Sequence, residues 1–282
     1  MLPIHVALVS RTAQSDPADV SHVAAALQKQ AARDLAPIWG VSATVDVFPS
    51  LRSVPAGYWP VMIVDDVKDA AGYHLDYHGQ PYALVEYSVS WSLTASHEVV
   101  EMLCDPWGQR VAAGRSPMAE QGQVEFLVEA CDPCENRAFA YTINGVLVSD
   151  FITPHFYDPR RTTGARYSFT GAVRAPRQIL RGGYISWWEP QSNRVWQERW
   201  FGAEPEFVEL GEGGFSAAEP LREFVDARTE HPGLDHGLDD SDETLADARD
   251  AWRGANEAAE ARGARLEREV DELLGGSWPD AG

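Results

Sequence analysis

The stretch WSLTASHEVVEMLCDP, residues 91–106, holds a histidine and two glutamates within five positions and contains no lysine or arginine. On a helix, residues four apart have Cβ atoms about 5–6 Å from each other, so His97 and Glu101 can pinch one ion between them. Zinc accepts imidazole nitrogen and carboxylate oxygen at about 2.0–2.2 Å, and a catalytic zinc keeps three protein ligands and a place for water. Glu98, one residue along from His97, would flank such an ion instead of binding it. That is where a base must stand to take a proton from a water polarised by the metal. Sorted by helical phase, Val99, Val100 and Leu103 lie on one side and Thr94, His97, Glu98, Glu101 and Asp105 on the other. A solvated helix face usually mixes acids with bases. The lack of any cation in this stretch favours a metal site over an ordinary wet face.

The spacing supplies two ligands and a base, so a third ligand must come from elsewhere. In VEFLVEACDPCENR (124–137), Glu129, Asp132 and Glu135 recur every third residue, and His155 follows in TPHFYDP. Glu129, Asp132 and His155 are the candidates, although a lone histidine in such a place is more often a structural hydrogen-bonder. Tyr141 or Tyr157 could polarise a carbonyl beside a metal, but nothing in the sequence selects either. Cys131 and Cys134 have C-x-x-C spacing, with Cys104 as a third thiol. A single such pair is a weak zinc signal, and free, buried thiols are expected. His74 and His78 are also four apart, but their segment reads as extended or turning, which assigns them turn or surface roles. Ser96 lacks the glycines of a nucleophile elbow, and no glycine loop of the phosphate-cradling kind is present.

The elements that must position these residues begin with a strand over Ile4–Val9. Asp16-Pro17 then supplies an N-cap and a first-turn proline. Val20, Val23, Ala24, Leu27, Ala31 and Leu35 follow at helical spacing as far as Pro37. VSATVDVFPS (41–50) alternates as a strand, and WPVMIVDD (59–66) is a continuous apolar run suited to a buried one. The opening is therefore β-α-β-β with a mixed sheet. Residues 82–89 alternate and lead directly into the 91–106 helix, which Asp105-Pro106 ends. Residues 107–123 read as a loop. Asn144-Gly145 between two β-prone runs specifies a type I′ hairpin within 139–151. A second hairpin spans 182–201, turns around Glu189–Asn193, and carries Trp187, Trp188, Trp196 and Trp200 on a packed sheet face. Residues 231–243 form a polar linker. Residues 244–274 form an Ala/Glu/Arg-rich helix in which Leu245, Trp252, Ala259, Leu266 and Leu273 make a single apolar row.

The chain of 282 residues carries a net charge of −20, and residues 203–282 hold 22 acidic against 7 basic side chains. Such a balance argues against nucleic-acid binding and against docking on an anionic membrane, both of which need clustered Lys and Arg. Three cysteines do not describe a disulfide scaffold. The N-terminus reads as a strand rather than a signal peptide, and no run approaches the roughly 18 apolar residues of a membrane helix. A soluble, cytoplasmic protein is expected.

His-Glu-x-x-His on a helix marks the zincin metallopeptidases, and HEVVE resembles that motif with Glu101 in place of its second histidine. GYHLDYHGQPYALV, SHEVVEMLCDP and INGVLVSDFITP further resemble a group of uncharacterised bacterial proteins with zincin-like features, over about residues 1–200. The resemblance implies an α+β fold with a zincin-like mixed sheet before the active-site helix, then β-hairpins and a C-terminal acidic helix. It also implies an edge strand that pairs with extended substrate, a part that QPYALVEYSV could play. In thermolysin-like zincins a helix-borne glutamate downstream of the motif completes the site, which makes Glu129 the first choice, Asp132 the second and His155 the third. The expected organisation is a metal-binding domain at 1–170, a Trp-rich hairpin extension at 171–215, and an acidic linker and helical tail at 216–282. The expected activity is peptide-bond hydrolysis on a peptide or protein substrate, with zinc on His97, Glu101 and Glu129 and with Glu98 as the base. One histidine among carboxylates is a harder ligand set, which opens the site to another divalent cation. The rival expectation is a non-catalytic structural or interaction component on a peptidase-like scaffold, with a protein partner bound through the C-terminal helix.

Overall fold

The computed structural model describes residues 3–68, 70–213 and 220–229. The chain forms the α+β fold expected, in two main sheets. β1 (Ile4–Ser10) leads into α1 (Pro17–Lys29), whose first turn is capped by the Asp16 carboxylate accepting from the Ala18 N–H. The helix does not stop at Pro37. It passes through a π-helical turn, Gln30–Leu35, into α2 (Ala36–Trp39) and ends at Gly40 in the left-handed region. Proline has no N–H to give to the ladder. A register change just before Pro37, with the Ala36 N–H reaching back to the Ala31 carbonyl, lets the helix run past it.

β2 (Ala43–Val47), β3 (Tyr58–Val64), β4 (Gly72–Tyr77) and β5 (Gln80–Glu86) complete the first sheet in the order β2-β1-β3-β5-β4. β1 pairs in parallel with β2 and β3, β3 pairs in parallel with β5, and only β4 runs antiparallel. The stretch QPYALVEYSV, expected at the edge, therefore includes the interior strand β5. The edge is β4, folded back by a tight turn in which His78 and Gly79 both have positive φ. β5 feeds α3 (Trp91–Cys104), which lies across β4 and β5.

β6 (Val111–Arg115) occupies part of the 107–123 segment read as loop. It has little β-character of its own and is drawn into a strand by antiparallel pairing with β7 (Gln123–Leu127). A small hairpin, β8 (Tyr141–Ile143) and β9 (Val146–Val148), turns at Asn144-Gly145 with φ of 53° and 80°, as the dipeptide specified. β10 (Tyr184–Glu189), β11 (Arg194–Arg199) and β12 (Glu206–Glu212) close the second, antiparallel sheet, β12-β11-β10-β7-β6. Because β7 pairs with β10, this sheet takes strands from both sides of residue 170. Trp187 is fully buried in it, while Trp196 and Trp200 pack half-buried against the main core.

That core runs from Val6 to Trp187 and joins both sheets to α1, α3 and the small hairpin. A satellite cluster forms where α4 (Leu221–Asp226) docks through Leu221, Phe224 and Val225 onto Leu127, Tyr184 and Val195. Part of the segment expected to be linker and tail is thus a packed element. The readings made for residues 231–243 and 244–274 fall outside the described residues. Among the described residues no helix is long and apolar enough to cross a membrane.

Candidate metal centre

α3 has no wet side. Every residue from Trp91 to Cys104 except Ser92 is buried, so His97, Glu98 and Glu101 project into protein instead of solvent. Two hydrogen-bonded features hold the helix. On one side the Ser96 hydroxyl donates to the Gln30 side-chain carbonyl (2.9 Å) and accepts the Ser149 N–H (2.8 Å), while the Gln30 amide donates to the Ser149 carbonyl (3.0 Å). On the other, the Cys131 N–H donates to Glu101 Oε1 at 3.0 Å, tying the helix to the loop after β7. Gly72 on β4 permits a close approach, since a Cβ there would stand 2.6 Å from Thr94 Cγ2 and 3.0 Å from Glu98 Oε1.

The loop after β7 carries Glu129 outside any helix or strand and Asp132 at the start of a 3₁₀ turn, Asp132–Cys134. The resemblance implied a helix-borne glutamate, but Glu129 is on no helix, because the chain turns tightly at Asp132-Pro133. Gly183 fixes that turn from behind: a Cβ on it would lie 2.6 Å from the carbonyl oxygens of Asp132 and Pro133, so only glycine lets β10 pack against this backbone.

Ligand atoms converge in three overlapping groups, each within 4.8 Å: His74, Glu98 and Glu101; His97, Asp132 and Glu135; and Glu101, Glu129 and Asp132. His97 Nε2 lies 3.1 Å from Glu101 Oε2 and 3.3 Å from Asp132 Oδ1. Bonds of 2.0–2.2 Å in a tetrahedron put neighbouring ligand atoms about 3.3–3.6 Å apart, so His97 Nε2 stands from each of these two carboxylate oxygens close to the separation of two ligands on one metal ion. Buried polar atoms nearly always have partners. Here His74 Nδ1, His97 Nδ1, Glu98 Oε2 and Glu129 Oε1 have no hydrogen bond. Buried His, Glu and Asp groups thus stand where they could hold a metal ion, in a donor set that suits a divalent cation.

The electrostatics show how crowded the charge is. Burial pushes the Glu98 carboxyl up to about 8, against the pull of His97 and Arg222. Burial, reinforced by the nearby Glu101, pushes Asp132 up to about 6. Burial disfavours charge on His97, but Glu101 and Asp132 outweigh it and hold the imidazole well above its ordinary value. His74 goes the other way, driven well down by burial and by Arg222, and is neutral.

Of the residues singled out in the sequence, His97, Glu98, Glu101, Glu129 and Asp132 come together. His155 does not: its side chain is 57% exposed and pairs with Asp158 at 2.8 Å. Tyr141 donates to Asp34, away from the centre, whereas half-buried Tyr157 donates to the Leu127 carbonyl at the start of the acidic loop. The three cysteines are free and buried.

Three participants went unrecognised in the sequence. His74, assigned to a turn or the surface, is on β4 and fully buried, with Nδ1 3.5 Å from Glu98 Oε2; the His78-Gly79 turn signal could have placed it on a strand facing α3. Glu135 completes a group with His97 and Asp132, in line with its three-residue spacing. Arg222 supplies the cation that the helix lacks. Its Nη1 donates to Glu101 Oε2 at 2.9 Å and to Glu129 Oε2, and Nη2 lies 3.9 Å from Glu98 Oε2. No local pattern announces this contact, since Arg222 is 121 residues from Glu101. Compared with protein-family models, with curated proteins and with solved structures, the chain matches none.

Proposed function

We propose that the protein is a metal-dependent peptidase of the zincin type, with zinc on His97 Nε2, Glu101 Oε2 and Asp132 Oδ1, and Glu98 as the base. The observation that carries this reading is the ligand spacing of 3.1 and 3.3 Å around His97 Nε2, beside the buried Glu98 carboxylate, one oxygen of which makes no hydrogen bond. The sheet adds support. Its antiparallel strand is at the edge and its neighbour β5 leads into the site helix, which leaves an edge for an extended peptide to pair with. Asp132, the second choice by sequence, is taken as the third ligand because its Oδ1 lies 3.3 Å from His97 Nε2.

When bound, zinc would polarise the scissile carbonyl and a water beside it. With a dication beside it Glu98 would give up the proton that burial favours, and it would then receive the proton of that water and deliver it to the leaving amine. Gly72, with no Cβ, lets β4 pack directly against the Glu98 carboxylate. Glu135, grouped with His97 and Asp132, adds negative charge that strengthens binding of a dication. One nitrogen among several carboxylate oxygens also suits a harder ion, so Mn²⁺ is the alternative metal. Substitution Glu98→Gln should abolish peptide hydrolysis while the protein still retains zinc in equilibrium dialysis. Hydrolysis at the wild-type rate in that variant would refute the role of Glu98.

A second reading rests on Arg222. An arginine already neutralising Glu101 and Glu129 is also what an internal ion network in a non-catalytic interaction protein would contain. Zinc-dependent peptide hydrolysis by Arg222→Gln separates the two, since a peptidase freed of this arginine turns over and an interaction component does not.

A further inference from the structure

Glu101 Oε2 has two claimants. It is the oxygen 3.1 Å from His97 Nε2 that would ligate a metal, and it is also the oxygen that accepts from Arg222 Nη1 at 2.9 Å. A carboxylate oxygen bound to a dication is a poor acceptor for a guanidinium, and two cations this close repel, so full occupancy by one weakens the other. Resting on the metal reading above, we infer that α4 is an inhibitory strap whose Arg222 guanidinium competes with the metal at Glu101 and blocks access to the centre.

Three features of the packing fit a removable element. α4 docks on the satellite cluster of Leu127, Tyr184 and Val195, and none of its residues belongs to the main core that holds α3 and both sheets. Undocking it therefore leaves the scaffold of the site intact. Second, Arg222 is the point of attachment to the acidic centre. Its backbone N–H donates to the Gly108 carbonyl (3.1 Å), and Gly108 has no side chain to obstruct it: a Cβ there would lie 2.8 Å from Arg222 Cβ. Asp226, one turn along, orients the guanidinium through Nε at 3.2 Å.

Third, with α4 in place the centre is closed. His74, His97, Glu98, Glu101, Glu129, Asp132 and Arg222 are each less than a tenth exposed, whereas a peptide substrate needs the metal open on one side. The guanidinium reaches Glu98 as well as Glu101 and Glu129, so it spans the proposed base and a ligand together. Binding free energies are reciprocal: whatever Arg222 subtracts from metal affinity, the metal subtracts from α4 docking.

The test uses the full chain and zinc alone, with two readouts that need no turnover. Zinc affinity is measured by competition with a chelating dye for wild type, Arg222→Gln and Arg222→Lys. Amide hydrogen exchange over residues 220–229 is followed in wild type with and without zinc. The inference expects Arg222→Gln to bind zinc at least about tenfold more tightly than wild type, with Arg222→Lys, which keeps the charge, close to wild type. It expects zinc to speed exchange over 220–229 by a similar factor, by reciprocity. The exchange readout does not depend on the variants folding. Equal affinity in wild type and Arg222→Gln, or unchanged or slower exchange with zinc, overturns the strap while leaving the metal centre standing. No zinc bound by wild type or by either variant overturns the metal reading and the strap with it.

Discussion

Two buried polar clusters sit on α3, around Ser96 and around Glu101, and they are built differently. Around Ser96 the groups are neutral, and the hydroxyl, the Gln30 amide and the Ser149 backbone satisfy one another in a closed ring. Around Glu101 several carboxylates share one arginine and two imidazoles, and four buried polar atoms make no hydrogen bond. Fully paired networks fix a structure, whereas partly paired ones are costly unless something completes them. The Ser96 ring is therefore read as a clamp that sets the height and rotation of the helix. The Glu101 cluster is read as a receptor for positive charge, filled by Arg222 in one state and by a metal in the other.

The largest effect expected from this contrast is at Glu101 itself. Glu101→Gln removes the charge facing Arg222, His97 and the proposed metal, and leaves a buried guanidinium short of a partner. Breaking a buried ion pair from one side costs about 3–5 kcal/mol, so urea unfolding should shift strongly and the variant should hold no stoichiometric zinc. Ser96→Ala breaks the other cluster. It strands the Ser149 N–H and the Gln30 carbonyl oxygen, at a cost of about 1–3 kcal/mol, with zinc affinity unchanged. If Ser96→Ala lost zinc as completely as Glu101→Gln, the division between clamp and receptor would fail.

The smallest effect sharpens the comparison with an acid outside both clusters. Burial raises Glu198 on β11 to about 7 from an ordinary value of 4.5. The folded chain therefore keeps this proton between those values while the unfolded chain releases it, and stability falls as pH rises from about 4.5 to about 7. Glu198→Gln should flatten that part of the stability profile by a modest amount and leave zinc binding alone. An unaltered slope would show that Glu198 does not hold its proton through this pH range.

Features with a local physical signature were legible in the sequence. The Asp16-Pro17 helix start, the apolar run of β3 and the Asn144-Gly145 turn each follow from a few adjacent residues. The pairing of His97 with Glu101 follows from helical pitch alone. Glu129 and Asp132 were within reach because their three-residue spacing flags a compact acidic loop, and the structure brings both to Glu101. What escaped depends on distant chain. β6 is a strand because β7 pairs with it, since its own Val-Ala-Ala-Gly-Arg sequence has no alternation to read. His74 faces α3 because β4 folds back on β5. Arg222 reaches the centre because α4 finds an apolar seat on the second sheet, and no periodicity in the sequence encodes that seat.

The central claim is that His97, Glu101 and Asp132 hold one metal ion, and elemental analysis of the dialysed, zinc-reconstituted protein tests it most directly. The account predicts one zinc per chain in Arg222→Gln, retained in Glu98→Gln and lost in folded His97→Ala and Asp132→Asn. It would be contradicted by an Arg222→Gln protein that takes up no metal, or by an Asp132→Asn protein that keeps its zinc.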